Sequence, residues 1–274
     1  MDSQKLDIDN IVSFVMKENK IPNIQLQKYY KLKWFFDALK ENHFTFQEPS
    51  TWHDPFEDFI SKLSNSREDT FVNNFNITDG IFAMSTISKR SECDGMWRNF
   101  ADTDGVLIYT TSRKIIKSIV TFLLDNGCCK DNKSFTNDYD VKKLLSYTIK
   151  IQKIRYMSDL GIANFFKSAT EQPYNDYIKL SLDALSIKRM EYDYESEYRV
   201  FLIAELLNLN KVQFLNIGYF KETITKIILS PNADSTQVDR LTSKLIREYS
   251  IDCEIIEQSK LYNIGDFKEK YNLG

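Results

Sequence analysis

The chain has 274 residues, 42% of them hydrophobic and 27% charged, which is the composition of a globular protein with one large domain or two small ones. A formal net charge of −3 excludes nucleic-acid binding that is driven by whole-molecule charge. Two histidines, four cysteines without C-x-x-C spacing and eight glycines without a phosphate-binding motif argue against a histidine-rich or zinc centre, a disulfide framework and nucleotide binding of the Rossmann or P-loop type.

The N-terminal residues predict a short helix ahead of the main domain. Asp9 and Asn10 can cap an amphipathic helix that ends at Pro22, and the acidic start lacks the apolar run of a signal peptide. No stretch reaches the roughly 18 apolar residues that a membrane span needs. We therefore predict a cytoplasmic protein without a membrane partner, divided into a helical appendage over 1–22, an α+β core domain over 23–258 and a tail over 259–274.

The first half of the core mixes strand and helix patterns. Strands are predicted from short β-branched and aromatic runs, and helices from apolar residues at helical spacing. In chain order these are a strand over 24–32, a helix over 34–42, a short strand over 43–47, a strand over 81–88, a short helix around Trp97, a strand over 106–110 and a helix over 112–126. Asp54, Pro55 and Glu57 have the spacing of a helix N-terminus, which accounts for both carboxylates structurally.

The second half continues the same mixture. We predict an exposed loop over 127–140, a helix over 141–149 that merges into a β-like run, a helix over 164–188 with a break near Pro173, strands over 212–217 and 224–229, a helix capped by Asp234 or Ser235, and a last strand over 253–256. There is no internal repeat. A single α+β domain with a central mixed β-sheet flanked by helices is the architecture that this order favours.

The most distinctive stretch runs from Lys188 to Ile203. With a period of two, its aromatic and aliphatic residues fall on one face and its charged residues on the other, which predicts a half-buried strand. The charged face consists of Glu191, Asp193, Glu195, Glu197 and Arg199. Acids two apart on a strand lie roughly 6 to 7 Å from each other, so they repel unless a cation or ligand lies among them. This face is either a solvated ion-pair row with Arg199 as counter-ion or a site where Glu195 and Glu197 converge on a ligand.

Four stretches resemble a widespread bacterial group, the domain-of-unknown-function family 2971. They are LQKYYK, WHDPFE, MWRNFADTDGVLIY, and YDYESEYRVFL with Lys188 ahead of it, and their order and spacing cover about residues 26–232. The chain departs from the family pattern in four places. Trp52 and His53 replace the usual phenylalanine and asparagine before Asp-Pro, Tyr192 replaces a tryptophan, and Phe100 stands where a tyrosine is common.

The resemblance implies an architecture similar to the ADP-ribosyltransferase fold. In that fold a first strand carries a basic residue, a middle strand a hydroxyl residue and a late strand Glu-x-Glu. Carried over by position, these are Lys28, then Ser85 or Thr86, then Glu195 and Glu197. The implied substrate is NAD. Its nicotinamide bond breaks through an oxocarbenium-like sugar, which a carboxylate beside the ribose stabilises.

The resemblance also implies roles for individual residues. Glu197 would stabilise the sugar, Glu195 would orient or deprotonate the acceptor, and Lys28 would engage the pyrophosphate or ribose. The remaining residues predicted to bind NAD are Tyr29, Ser85, Thr86, Trp97 and Arg199. Trp97 fits stacking on a nicotinamide, although such a tryptophan is also typical of a core.

The hypothesis that follows is a NAD-dependent ADP-ribosyltransferase, a toxin or phage-defence effector with a macromolecular acceptor, protein or nucleic acid, and with an antitoxin as a further partner. Two alternatives remain open. One is a Mg²⁺-dependent nuclease that uses Asp193, Glu195 and Glu197 as oxygen ligands, with Arg199 where a lysine would be expected. The other is a non-catalytic binding module in which the charged row is a structural ion-pair network.

Overall fold

The computed structural model of the chain describes residues 6–52, 54, 56–57, 80–89, 91–102, 104–127, 138–171, 177–207, 212–264 and 268. These residues form a β-sheet with helices packed around it, so the predicted α+β class is confirmed. None of the helices within these ranges combines the length and apolar character that crossing a membrane requires.

Eleven strands are found in the described residues, nine of them in one sheet. They are β1 (Gln25–Tyr30), β2 (Phe44–Gln47), β3 (Ile81–Ile87), β4 (Val106–Thr111), β5 (Ile149–Lys153), β6 (Arg155–Met157), β7 (Ile187–Arg189), β8 (Glu197–Ile203), β9 (Phe214–Ile217), β10 (Lys226–Leu229) and β11 (Ile256–Gln258). The short β6 and β7 pair with each other in parallel, apart from the main sheet.

The helices in the described residues are α1 (Ile8–Glu18), α2 (Leu32–Glu41), α3 (Asp94–Met96), α4 (Ser112–Asp125), α5 (Asp138–Thr148), α6 (Asp159–Glu171), α7 (Tyr177–Ala184), α8 (Phe220–Thr223) and α9 (Ser235–Tyr249). A π-helical turn, Trp97–Ala101, continues α3 directly. At the start of α9, Asp234 and Gln237 form the capping box that satisfies the exposed backbone amides. The cap predicted at Asp234 is therefore confirmed.

The main sheet branches at β3. One side of the sheet runs in the order β11, β10, β4, β1, and all of its pairs are antiparallel except β10 with β11. Strand β1 meets β3 at a single position, Gln27 opposite Ile87, and the two strands diverge from there. The other edge of β3 pairs along its whole length with β8, which in turn pairs with β5. A cleft results where β1 and β3 separate.

Helix α1 belongs to the main core. Ile11, Val12 and Val15 are completely buried and cluster with residues of α4 and α5. The prediction of a separate appendage over 1–22 is therefore wrong. The apolar stripe that predicts the helix is also the face that packs against the core. The sequence pattern shows that such a face exists but does not show which elements it contacts. Of the predicted tail, the structure describes 259–264 and 268, and Ser259 at its start is still buried and bonded to Leu229.

The acidic stretch is not one half-buried strand. Only β7 and β8 are extended, and a 3₁₀ helix, Met190–Glu195, followed by Ser196 in the left-handed region (φ 49°), joins them. Strand β8 is also buried on both faces. Val200 and Leu202 contact the main core, while Phe201 and Ile203 pack in a second cluster that includes Leu182 and Leu185. The charged residues of β8 therefore face the protein interior and not solvent.

Other predicted elements agree with the structure to within a few residues, including the helix predicted over 112–126 and the strands over 24–32, 81–88 and 106–110. The last strand begins later than predicted, because Cys253–Ile255 form a 3₁₀ turn before β11. Most of the loop predicted over 127–140 and the helix predicted after Asp54 lie outside the described residues.

Candidate functional site

The candidate site is the cleft between the diverging strands β1 and β3. Its cavity volume is about 90 Å³ and it is open to solvent, so it is smaller than the roughly 300 to 1,000 Å³ of a typical ligand pocket. Strand β1 contributes Gln27, Lys28 and Tyr29; β3 contributes Ser85, Thr86 and Ile87; α3 and its π-helical turn contribute Met96 and Phe100; and the 187–197 segment contributes Lys188, Glu195 and Glu197. Six of the eight predicted site residues thus line one cleft.

Lys188 is the centre of a charge cluster in the cleft wall. Its Nζ lies within 3.0 Å of an oxygen of three carboxylates: Glu195 at 2.6 Å, Glu57 at 2.9 Å and Glu197 at 3.0 Å. The left-handed turn at Ser196 folds Glu195 back toward β7 and makes this convergence possible. Burial alone would lower the pKa of Lys188, but the three carboxylates outweigh it and raise the pKa above its ordinary value, so Lys188 is a cation.

Glu197 is buried and fully hydrogen-bonded. Its Oε1 accepts from Ser85 Oγ at 2.5 Å and from Arg199 Nε at 2.7 Å, while its Oε2 faces Lys188 and accepts from Arg199 Nη2 at 3.2 Å. Burial alone would raise the pKa of Glu197, but Arg199 and Lys188 outweigh it and lower the pKa to about 2. Glu197 is therefore an anion throughout the physiological pH range.

Arg199 lies behind Glu197 and does not line the cleft. It is 1% exposed, its Nη1 donates to the carbonyl of Leu185 at 2.6 Å, and its Nη2 donates to Glu57 Oε2 at 2.6 Å. The guanidinium also lies over the ring of Trp52, 4.3 Å from the centroid. Arg199 was predicted to bind NAD directly. The structure places it instead where it holds two carboxylates.

Glu195 differs from Glu197 in its surroundings. In the described part of the chain, only its Oε2 is hydrogen-bonded, to Lys188. Burial raises the pKa of Glu195 above its ordinary value, and Lys188 offsets only part of that rise. Two neighbouring carboxylates with pKa values shifted in opposite directions are a recurrent feature of acid-base sites.

Lys28 reaches across the cleft from β1. Its Nζ donates to the backbone carbonyl of Ser85 at 2.9 Å and lies 5.4 Å from the centroid of the Tyr30 ring. Burial lowers the pKa of Lys28 to about 8, although Glu197 acts in the opposite direction. The two lysines of the cleft therefore differ: the pKa of Lys28 is lowered, and the pKa of Lys188 is raised.

The structure separates the two hydroxyl candidates on β3. The Ser85 side chain is exposed to the cleft and donates to Glu197, whereas Thr86 is buried and its Oγ1 donates to the carbonyl of Tyr198 at 2.8 Å. Ser85 is therefore the hydroxyl that contacts the acidic pair, and Thr86 forms part of the cleft floor.

Trp97 is a core residue. It is 1% exposed, packs edge-on against Tyr29 with centroids 5.1 Å apart, and donates from Nε1 to Glu92 at 3.0 Å. The predicted role in stacking on nicotinamide is therefore wrong, because the ring lies beneath the cleft and not in it. Phe100, one turn later and 42% exposed, is the aromatic residue of this segment that lines the cleft.

Three residues of the site were not assigned to it from the sequence. The sequence pattern places Glu57 in a helix N-terminus and Lys188 ahead of a family-like stretch, and it gives no role to Tyr156, whose Oη accepts from the backbone amide of Glu197 at 2.8 Å. The WHDPFE stretch was the available signal for Glu57. Tyr156 lies in a short strand with no distinguishing pattern.

The acidic residues do not form a metal site in the part of the chain that the structure describes, where no three His, Cys, Asp or Glu side chains are arranged to hold an ion. Asp193, which the nuclease hypothesis requires, is exposed on the 3₁₀ helix, whereas Glu195 and Glu197 are paired with Lys188. Lysine and arginine contact both oxygens of Glu197 and one oxygen of Glu195, which a metal ion would need as ligands. The arrangement gives no support to the nuclease hypothesis.

Comparison of the chain with family models, curated proteins and solved structures finds no match. A function can therefore be argued only from the site itself: its residues, their charge states and the space that they enclose.

Proposed function

We propose that the protein is an ADP-ribosyltransferase that uses NAD as its substrate. The observation that carries the proposal is the convergence of Lys28 from β1, Ser85 from β3, and Glu195 and Glu197 from the 187–203 region in one cleft. These residues are far apart in the sequence and supply a base, a hydroxyl and two carboxylates to a shared space. The resemblance to family 2971 implies the same positions for this reaction, with either Ser85 or Thr86 as the hydroxyl.

The chemistry requires an anion beside a sugar that becomes positively charged. As the bond between the ribose and nicotinamide breaks, its electron pair leaves with the nicotinamide, and charge develops on the ribose carbon and ring oxygen. Glu197 is ionised at every relevant pH and is held by Arg199 and Ser85, so it needs no rearrangement to stabilise that charge. Electrostatic preorganisation of this kind is the main contribution that the site can make.

Glu195 is suited to proton transfer with the acceptor. Its raised pKa brings it closer to neutral pH than an exposed glutamate, which improves a carboxylate as a general base. Its second oxygen makes no hydrogen bond to another described residue, so it can accept one from an acceptor. The acceptor is proposed to be a protein or nucleic acid, and the protein to be a toxin or phage-defence effector with an antitoxin as a further partner.

The test is incubation of the purified protein with labelled NAD and a cell lysate. We expect the wild type to transfer label or release nicotinamide, and Glu197→Gln to lose activity by about 100-fold or more, the scale for removing one preorganised electrostatic contact. Glu191→Gln, an exposed residue of the adjoining turn, is the matched control. Glu195→Gln is a second variant of the site. Thermal melting of each variant shows whether a loss of activity comes from unfolding or from the changed side chain.

The proposal is overturned if folded Glu197→Gln and Glu195→Gln both turn over NAD at the wild-type rate, or if the wild type neither binds nor consumes NAD. The latter result would favour the non-catalytic binding module. One observation supports that reading: Lys188 and Arg199 together neutralise most of the carboxylate charge, as in a structural network. In such a network, neutralising Glu195 lowers the melting temperature, whereas an active site more often gains stability when a like charge is removed.

A further inference from the structure

Lys28 is the second lysine that lines the cleft, and the carboxylates of the cleft wall are already paired with Lys188 and Arg199. Lys188 forms ion pairs with Glu195, Glu57 and Oε2 of Glu197. Arg199 forms an ion pair with Oε1 of Glu197. In the described part of the chain, no carboxylate oxygen is within 4.0 Å of Lys28 Nζ, whose hydrogen-bond partner there is the uncharged carbonyl of Ser85. The charge cluster thus leaves this amine without a direct counter-ion.

The surroundings of Lys28 also restrict water while leaving the amine reachable. The side chain is half-buried, Nζ lies near the Tyr30 ring, and the cleft into which it points is open to solvent. A lysine without a counter-ion in a partly apolar cleft favours its neutral form, which is the state that reacts with carbon electrophiles.

From this geometry we propose that Lys28 is a nucleophilic amine that binds carbonyl compounds covalently, as an imine, in the cleft between β1 and β3. The ligand class is an aldehyde or ketone small enough for the cleft. This inference goes beyond the transfer of ADP-ribose and does not depend on NAD being the substrate.

The reaction balances without any further reagent. The lone pair of Lys28 Nζ attacks the carbonyl carbon, the carbonyl electron pair moves to oxygen, and proton transfer gives a carbinolamine. Loss of water then forms the carbon-nitrogen double bond, so that one amine and one carbonyl give one imine and one water. Glu195, in the same cleft wall and with a raised pKa, can supply and recover the proton that water loss requires.

The acid-base groups around Lys28 set the expected pH dependence. Those that line the cleft or adjoin the amine are Tyr29 and Tyr30 on its own strand, Lys188 on β7, Glu195 on the 3₁₀ helix and Glu197 on β8. Burial lowers the pKa of Lys28 to about 8 against the opposing effect of Glu197. At pH 8 about half of the Lys28 amine is then neutral, against roughly one part in three hundred for an ordinary lysine.

The experiment traps the imine on the intact protein with acetaldehyde, reduces it with cyanoborohydride, and locates the resulting secondary amine by mass spectrometry of peptides. Lys33, exposed at the start of α2, is an internal control in the same molecule. We expect Lys28 to be modified at least about tenfold faster than Lys33 at pH 8. Its rate should level off above pH 8, while that of Lys33 continues to rise.

Lys28→Arg keeps the positive charge but cannot form an imine. We therefore expect the fast phase of labelling of the whole protein to disappear in this variant, which leaves only the slow labelling of the exposed lysines. The proposal is overturned if Lys28 in the wild type reacts no faster than Lys33, a result that needs no variant to fold. Added NAD separates this proposal from the enzymatic one. Protection of Lys28 by NAD supports both, whereas rapid labelling without protection supports the nucleophilic amine and weighs against NAD binding in the cleft.

Discussion

At the scale of single residues, the site depends on how two cations are shared among three carboxylates. Glu197 has two cationic partners and a hydroxyl, and its pKa falls to about 2, whereas among the described residues Glu195 is bonded only to Lys188 and its pKa rises. The two acids lie two positions apart in the sequence, where an alternating pattern treats them alike. Their different roles come from Arg199, which reaches Glu197 and Glu57 but is not bonded to Glu195.

Replacing Arg199 by methionine tests whether the cluster is a stability element. The change leaves Glu197 buried and Glu57 partly buried, both still beside Lys188, and removing one partner of a buried ion pair costs about 3 to 5 kcal/mol. We expect a loss of that size in urea unfolding at pH 7. The matched control is Arg98→Met, which removes an exposed pair with Asp94 and should change stability little. An equally small effect of Arg199→Met would show that the cluster contributes little to folding.

At the scale of elements, the sequence predicts most helices and strands and also names most of the residues that line the cleft. What it does not predict is the path of residues 190–196. Tyr192 and Tyr194 alternate with acids as in a strand, yet the segment forms a 3₁₀ helix with a left-handed residue at its end. The reason is tertiary, because Lys188 and the buried end of β8 can bring three carboxylates together only if the chain turns between them. Local periodicity contains no information about such a partner.

The π-helical turn after α3 depends on a glycine that the sequence marks only as a turn residue. A Cβ on Gly105 would lie 2.1 Å from the Ala101 carbonyl oxygen and 2.4 Å from that of Tyr30, both backbone atoms. We expect Gly105→Ala to destabilise the protein by about 1 to 3 kcal/mol or more, since β1 and the turn must separate. Because that turn carries Phe100 and adjoins β1, ligand affinity in the cleft should fall as well.

Gly95→Ala is the control for that prediction. A Cβ there meets nothing within 4 Å, and alanine is the better helix former, so stability should not fall. Thermal melting of the two variants compares them directly. A Gly105→Ala protein as stable as the Gly95→Ala one would mean that the turn adjusts without cost.

At the scale of the whole molecule, the sheet is organised by pairings that join distant parts of the chain. Strand β8 lies between β3 and β5 and is covered on both faces. In the sequence, however, its alternating charged residues resemble the exposed face of a half-buried strand. The α+β class follows from the mixture of patterns along the chain. The branching at β3, which opens the cleft, does not, because register and strand order depend on long-range contacts that no local pattern encodes.

The same reasoning applies to α1, which local pattern presents as a detachable helix. Its buried face packs on α4 and α5, and Ile11 is 0% exposed. We expect Ile11→Ala to cost about 2 to 5 kcal/mol, a large part of the 5 to 15 kcal/mol that holds an ordinary domain folded. Leu160→Ala, on α6 and 71% exposed, is the matched control and should stay within about 0.5 kcal/mol of wild type. Urea unfolding followed by circular dichroism measures both. If Ile11→Ala matched the control, α1 would be an appendage after all; a single cooperative transition at lower urea would show that the helix and the sheet that carries the cleft unfold together.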